Sequence, residues 1–240
     1  MKVLVQAILE KEQINSSSVS EYDALLDLLE PKAVMMGDIF QNHWVYRIPR
    51  AKAQTVLSLD ENGRLLKNYS NHPVAALPEE SEPLVYFKAN GGSAIQPERE
   101  FMVSSLYRQL QIPVPETALL VLTDIFAEDP DSFYAVQASE AVIGASAFES
   151  LRDQETIFEE EAYVKQVLGA LLTNPSDWKF KYSEKHKTLT SIDNGLVFQP
   201  EFTGEGEKIV NVKSILYLLP QIDLAVPQSV KPFLQAWIPI

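Results

Sequence analysis

The 240-residue chain contains no cysteine, which excludes disulfide staples and thiolate metal centres. Its three histidines, His43, His72 and His186, are too scattered to suggest a histidine metal cluster. Bases are scarce beside acids: 20 lysines and arginines stand against 33 aspartates and glutamates, a formal charge of −13. A surface of that sign repels phosphate backbones and anionic headgroups, so neither a nucleic acid nor a membrane is expected as partner. No apolar run approaches the roughly 20 residues that span a bilayer. The opening "MKVLVQAILEKEQ" carries charges and no small-residue cleavage site, so it does not read as a secretory signal. These absences leave a cytoplasmic protein as the expectation. What is present is ordinary for a globular chain: 46% hydrophobic and 22% charged residues, and enough length for one large domain or two lobes.

Periodicity and punctuation sort the chain into elements. "SVSEYDALLDLLEPK" predicts a helix, with Ser18 and Glu21 placed as a capping box and Pro31 closing it. "HWVYRI" and "QTVLSL" alternate as strands do. "DENGRLLKNYSNHPVAALPEESEP" reads as a polar, proline-bearing connector. "LVYFK" is a short buried strand ending on Lys88, and "ANGGS" turns the chain after it. "PEREFMVSSLYRQLQ" predicts a helix with Pro97 in its first turn and Met102, Leu106 and Leu110 along its apolar face. "ALLVLTDIF" and "FYAVQAS" read as paired strands. A second long helix is expected from about Gln154 to Thr173, with Val164, Val167, Leu168, Leu171 and Leu172 as its apolar side. "WKFKY" and "TLTSI" are strands around the turn "SEKHK". The tail from Val212 looks helical but is interrupted by prolines. There is no internal repeat.

One stretch stands apart. In "TSIDNGLVF", Asp193 follows an alternating run and precedes Asn-Gly, a turn pair. That position either displays a carboxylate at a sheet rim, suited to a cation, or lets the aspartate satisfy the turn's own backbone.

The pieces "VYFK", "EREFMVSSLYRQLQIPVPETALLVL", "FYAVQAS" and "DWKFKY" followed by "TSIDNGLVF", taken in that order, resemble the protein-kinase-like superfamily in its atypical branches. These are the phosphatidylinositol 3- and 4-kinases, actin-fragmin kinase and the HipA-type kinases. "WKFKY" before "SIDNGLVF" is most similar to the type II phosphatidylinositol 4-kinases. The resemblance covers roughly Leu84 to Phe198. It implies an α+β, bilobal fold, with a small mixed lobe built on an antiparallel sheet (residues 1–137) and a larger, mainly helical lobe carrying the catalytic hairpin (residues 138–240).

The resemblance also implies roles. Phosphoryl transfer places cations around a triphosphate. Lys88 would contact the α- and β-phosphates of ATP, and Glu100 on the next helix would hold that lysine by charge, with Glu98 as the spare. Gln137, Ala138 and Ser139 would form the lobe linker whose backbone faces adenine. Asp193 would bind Mg²⁺ or Mn²⁺, a hard ion satisfied by one or two carboxylates and water. Asp177, brought to the same end of the ribbon by the "WKFKY"/"TLTSI" hairpin, would be its second ligand or the catalytic base, with Asn174 assisting. For each there is a plainer alternative: a strand-end lysine, an ordinary strand end, two separate turn aspartates.

The chain departs from the family twice. The usual catalytic aspartate position, five before Asp177, is Leu172, which accepts no proton. No glycine occurs between Gly37 and Gly63, so no glycine-rich cover precedes Lys88, although Gly91 and Gly92 follow it. Glu201, Glu205 and Glu207 after the motif disfavour an anionic lipid and point to a protein hydroxyl as acceptor. The expectation is an atypical kinase using ATP and a divalent metal. A pseudokinase, an adenylyl-transferring enzyme and a non-catalytic interaction protein stand as alternatives.

Overall fold

The computed structural model describes residues 7, 10–11, 13, 44–49, 74–77, 85–88, 95–123, 135–146, 158–175, 179–198 and 215–235. They form a mixed α+β protein with two small, largely antiparallel sheets. The chain divides into two compact units, Met1–Ser105 with Pro115–Ala141, and Leu106–Val114 with Val142–Ile240. In sequence the division after Ala141 falls a few residues beyond the expected boundary at 137/138, and residues 106–114 belong with the second unit. The expected helix at 18–32 and the strand "QTVLSL" lie outside the described residues. Among the described residues no helix is long and apolar enough to cross a membrane.

The first unit is a five-stranded sheet. Its strands are β1 (Trp44–Pro49), β2 (Val74–Leu77), β3 (Val85–Lys88), β4 (Thr117–Thr123) and β5 (Ala135–Glu140), in the spatial order β1-β4-β5-β3-β2. β1 runs parallel to β4, and every other pairing is antiparallel. β2 lies inside the stretch expected to be a connector: "VAAL" is short, but pairing to β3 along its whole length makes it a strand. β5 is paired on both sides and buried along all six residues.

Between β3 and β4 runs α1 (Ile95–Gln109). Its face toward the sheet is not the one its aliphatic residues suggest. Met102 is exposed and Leu106 half-buried, whereas Glu100, Phe101, Val103 and Ser104 are buried. Phe101 packs with Leu119, Ala135 and Val121. One large aromatic on a two-layer contact outweighs three aliphatic residues whose stripe points elsewhere.

The second unit holds a three-stranded antiparallel sheet, β6 (Ala145–Ser146), β7 (Lys179–Ser183) and β8 (Thr188–Ile192), in the order β6-β7-β8. The "WKFKY"/"TLTSI" hairpin forms as the sequence predicts, with Lys179 opposite Ile192 and Ser183 opposite Thr188. α2 (Glu160–Thr173) packs on it, starting six residues later than expected because Phe158 is not helical and Glu159 caps the helix. The Glu159 carboxylate accepts from the Ala162 backbone N–H at 2.8 Å, the standard satisfaction of an orphan first-turn donor. Three 3-10 turns, Ile215–Leu218, Pro220–Asp223 and Gln228–Val230, lead into α3 (Lys231–Gln235), the proline-interrupted tail foreseen in the sequence.

α2 also buries a different face from the aliphatic one. Its buried residues are Ala162, Tyr163, Gln166, Gly169, Ala170 and Thr173, while Leu171 and Leu172 are exposed. Small residues let neighbours approach closely, and polar ones are kept inside by hydrogen bonds, although Gln166 Oε1 is buried without a partner. Gln166 Nε2 donates to the Pro113 and Leu189 carbonyls, both at 2.6 Å. Thr173 Oγ1 donates to the Gly169 carbonyl at 2.9 Å and shares a 2.8 Å hydrogen bond with the Tyr107 hydroxyl. Gly169 lies under the Tyr107 ring so closely that a Cβ there would sit 2.8 Å from it. Gly169→Ala is therefore expected to overpack this contact and lower the unfolding free energy by about 1–3 kcal/mol, read from urea denaturation.

The core beside α2 joins Phe158, Tyr163, Phe180, Tyr182, Leu189 and Leu216, with the Phe158 and Tyr182 rings edge to face at 5.1 Å. The Tyr163 hydroxyl donates to the Leu216 carbonyl at 2.6 Å. Burial, then the charges of Tyr217 and Asp223, push the Tyr163 pKa up to about 12, and burial does the same for Tyr217. A hydroxyl whose folded pKa lies above its unfolded value of 10.0 keeps its proton longer when folded. Its contribution is complete below about pH 10 and is lost as pH rises toward about 12. Urea midpoints should therefore fall between about pH 10 and 12, and Tyr163→Phe should make that fall shallower by up to ~1.4 kcal/mol per pH unit.

Candidate functional site

In the first unit the sequence-predicted pair is in contact. Lys88 is the last residue of β3, and Glu100 lies in the second turn of α1, the helix that follows. Lys88 Nζ donates to Glu100 Oε1 at 2.9 Å, with the side chains 20% and 10% exposed. Antiparallel register sets Lys88 opposite Gln137 and Gln137 opposite Leu119. Directly opposed residues share a face, so the ammonium stands on the same face as Leu119, which packs against Phe101 of α1. Glu100, next to Phe101 on α1, reaches the ammonium there. Glu98, the spare, is only half-buried, and burial raises its pKa above the ordinary carboxylate value, which favours the neutral form. Glu100 is the partner.

Gln137, Ala138 and Ser139, expected to form a linker, are inner residues of β5. Each is opposed by β3 on one side and β4 on the other: Gln137 by Lys88 and Leu119, Ala138 by Phe87 and Ala118, Ser139 by Tyr86 and Thr117. Their backbone groups serve the ladders and do not line a linker. The chain leaves the sheet at Glu140, and residues 141–144 carry no helix or strand. Gln137 is fully buried, and both its amide atoms lack hydrogen-bond partners.

Glu140, which the sequence reading did not single out, is a buried carboxylate at the end of β5. It accepts from Lys11 Nζ at 2.8 and 3.0 Å and from the Glu116 backbone N–H at 2.8 Å. No local signal marks it. A glutamate ending a strand ordinarily faces water, and its cation lies 129 positions away in the sequence.

In the second unit, Asp193 follows β8 directly. Its φ of 59° lies in the left-handed region, which aspartate tolerates better than most residues. The Asn-Gly turn after it is tied by Asn194, whose Oδ1 accepts from Ser191 Oγ at 3.1 Å. The Asp193 carboxylate is 21% exposed, and Lys179 Nζ donates to it at 3.2 Å across the β7–β8 ribbon. Lys179 was absent from the sequence-based candidates. Asp177 lies outside the described residues. Asn174 caps α2 in the left-handed conformation with φ of 40°, and its N–H donates to the Ala170 carbonyl. Asn174 Oδ1 is buried with no hydrogen-bond partner. The Phe198 N–H donates to the Thr173 carbonyl at 2.8 Å, fastening the end of the "IDNGLVF" segment to the end of α2. Leu172, which the resemblance set at the position of the usual catalytic aspartate, is a 46% exposed helical residue.

The described groups that the sequence offered to a cation are oxygens: the Asp193 carboxylate, held by Lys179, and the Asn174 amide oxygen, which has no hydrogen-bond partner. Those are ligands suited to Mg²⁺ or Mn²⁺, which complete their shells with water and substrate phosphates. Among the described residues no three histidine, cysteine, aspartate or glutamate side chains cluster as a self-sufficient metal site.

No family model, curated protein or solved structure matches this chain.

Glu100 depends on a cation for its burial. Lys88→Met is expected to destabilise the protein by about 1–3 kcal/mol by leaving a largely buried carboxylate without its charge partner. Adding Glu100→Gln to Lys88→Met should restore part of that loss. A double-mutant cycle in urea checks it: additivity within about 0.3–0.5 kcal/mol would show that the pair is not coupled.

Proposed function

We propose that this chain is a small, atypical kinase-fold enzyme, an ATP- and divalent-metal-dependent phosphotransferase of bilobal design acting on a protein hydroxyl in the cytoplasm. The observation that carries the reading is the Lys88–Glu100 ion pair, 2.9 Å between a strand-end ammonium and a helix carboxylate. In kinases, a strand lysine held by a carboxylate on the following helix is part of the active arrangement, because the lysine must be aimed at the phosphates before they arrive. The elements around it follow the expected order of strand, helix and two strands. The backbone of residues 141–143, outside the ladders, takes the adenine-facing role first given to Gln137–Ser139.

Asp193 would hold the metal, with the Asn174 amide oxygen assisting and Asp177 as second ligand or base. When bound, the metal supplies charge neutralisation on the phosphates. Lys179, which donates to Asp193 at 3.2 Å, would yield the carboxylate to the metal. The acid-rich formal charge of −13 supports a protein acceptor over an anionic lipid.

A second reading is favoured by one observation. Leu172 cannot act as a base, and it lies on the exposed side of α2. A nucleotide-binding protein that transfers AMP, or transfers nothing, has no need of that residue.

Thermal melting with and without millimolar Mg·ATP tests the common premise, since a ligand at 100 times its Kd stabilises by about 2.7 kcal/mol. The expected result is a clear upward shift, lost in Lys88→Ala and Asp193→Ala. No shift would remove the nucleotide readings and leave an interaction protein. Label transfer from γ-labelled ATP supports phosphorylation, and transfer from α-labelled ATP supports adenylylation.

A further inference from the structure

We infer that an apolar pocket on the second unit docks a basic, amphipathic segment of a partner protein through one large apolar side chain. The pocket opens between α2 and the 3-10 turns that follow Leu219, and Tyr163, Val164, Val167, Leu224, Val226 and Leu234 are among its wall residues. It uses none of the residues assigned to nucleotide, so the inference stands apart from the phosphotransferase reading.

The volume fixes the size of the occupant. About 160 Å³ is available, close to the roughly 150 Å³ of an apolar cavity that accepts benzene. That suits one leucine or aromatic side chain and is too small for a long acyl chain. Inside the pocket the wall offers little neutral polar recognition, because the Tyr163 hydroxyl and the Gln221 amide N–H are already committed. The Tyr163 hydroxyl donates to the Leu216 carbonyl, and Gln221 Nε2 donates to the Phe158 carbonyl at 2.9 Å. Around the mouth, Leu224 and Val226 are 59% and 47% exposed, apolar surface of the kind that contact with another molecule covers.

Charge gives the chemistry of the flanks. Glu160 lines the pocket from the first turn of α2, and Asp223 ends the 3-10 turn that supplies Gln221 and Ile222. Both carboxylates are exposed, and neither is in an ion pair among the described residues. Lys165, on the same helix, is held by Glu161 at 2.6 Å and lies over the Phe233 ring at 5.1 Å. An apolar hole lined by one acid outside any described ion pair, with a second between the lining residues Ile222 and Leu224, on a chain of net charge −13, is complementary to an apolar anchor flanked by lysines or arginines. An anchored helix or turn is the ordinary way such a segment docks.

The test uses the full chain and a fluorescein-labelled peptide of leucine and lysine at helical spacing, with fluorescence anisotropy as readout. Two companion peptides replace either every leucine by serine or every lysine by glutamate. The leucine–lysine peptide is expected to bind, and both companions to bind at least tenfold more weakly. Leu224→Ser with Val226→Ser should weaken binding by roughly tenfold, the loss of one apolar contact region. Glu160→Gln with Asp223→Asn should weaken it several-fold and reduce its salt dependence. Glu184→Gln, in the exposed β7–β8 turn, should leave it unchanged. All substituted side chains are exposed, so the variants should melt as the parent does. The inference is overturned if the serine–lysine peptide binds equally, which would be net-charge attraction alone. It is equally overturned if the leucine–glutamate peptide binds equally, which would mark a site for neutral apolar molecules, or if the pocket variants bind like the parent.

Discussion

A carboxylate taken out of water must find a cation or several N–H donors within hydrogen-bond reach, and the first unit is arranged around two that do. Glu100 meets Lys88, and Glu140 meets Lys11 and the Glu116 backbone. The first contact ties α1 to β3, and the second ties the end of β5 to the start of β4. Both lie at margins of a sheet whose central strand is buried along its length. The apolar contacts of Phe101, Leu119 and Ala135 supply non-directional cohesion. The two ion pairs supply direction, since only one rotation of α1 brings Glu100 over Lys88.

The same logic runs through α2 with neutral groups. Gln166 bridges the Pro113 and Leu189 carbonyls, and Thr173 links Tyr107 to the turn of helix before it. Close approach at Gly169 makes those hydrogen bonds possible by letting the Tyr107 ring lie against the helix backbone. With that face turned inward, the half-buried Val164, Val167 and Leu168 are left to the pocket wall. The docking surface is thus a consequence of which face the polar residues required.

Two features keep the functional readings in balance. The Lys88–Glu100 pair is what a phosphate-orienting lysine needs before substrate arrives. Against it, that reading would set exposed Leu172 where kinases carry a proton acceptor, and Asp193 carries a lysine at 3.2 Å. Positioning and electrostatics supply most of the work in phosphoryl transfer, so a missing base weakens such a site less than a missing lysine or metal ligand would.

The sequence by itself determined the elements whose signals are local. The β7–β8 hairpin, the β4–β5 pair, the two long helices and the proline-broken tail all follow from alternation, helical spacing and turn residues within a few positions. Capping decided the start of α2 at Glu159, a detail that the aliphatic spacing obscured. The pairing of Lys88 with Glu100, 12 residues apart, was an expectation of the kinase resemblance and not of spacing, which left Glu98 as a second candidate. Tertiary structure alone decided which helix faces are buried, since Phe101 and Gly169 are set by what packs opposite them and not by the summed hydrophobicity of a stripe. It alone made "VAAL" a strand, through pairing with β3, and set a neighbouring strand on each side of Gln137–Ser139. It alone joined Lys11 to Glu140 and Lys179 to Asp193. Neither of those pairs leaves a periodic trace, and only the folded chain brings the charges within hydrogen-bond reach.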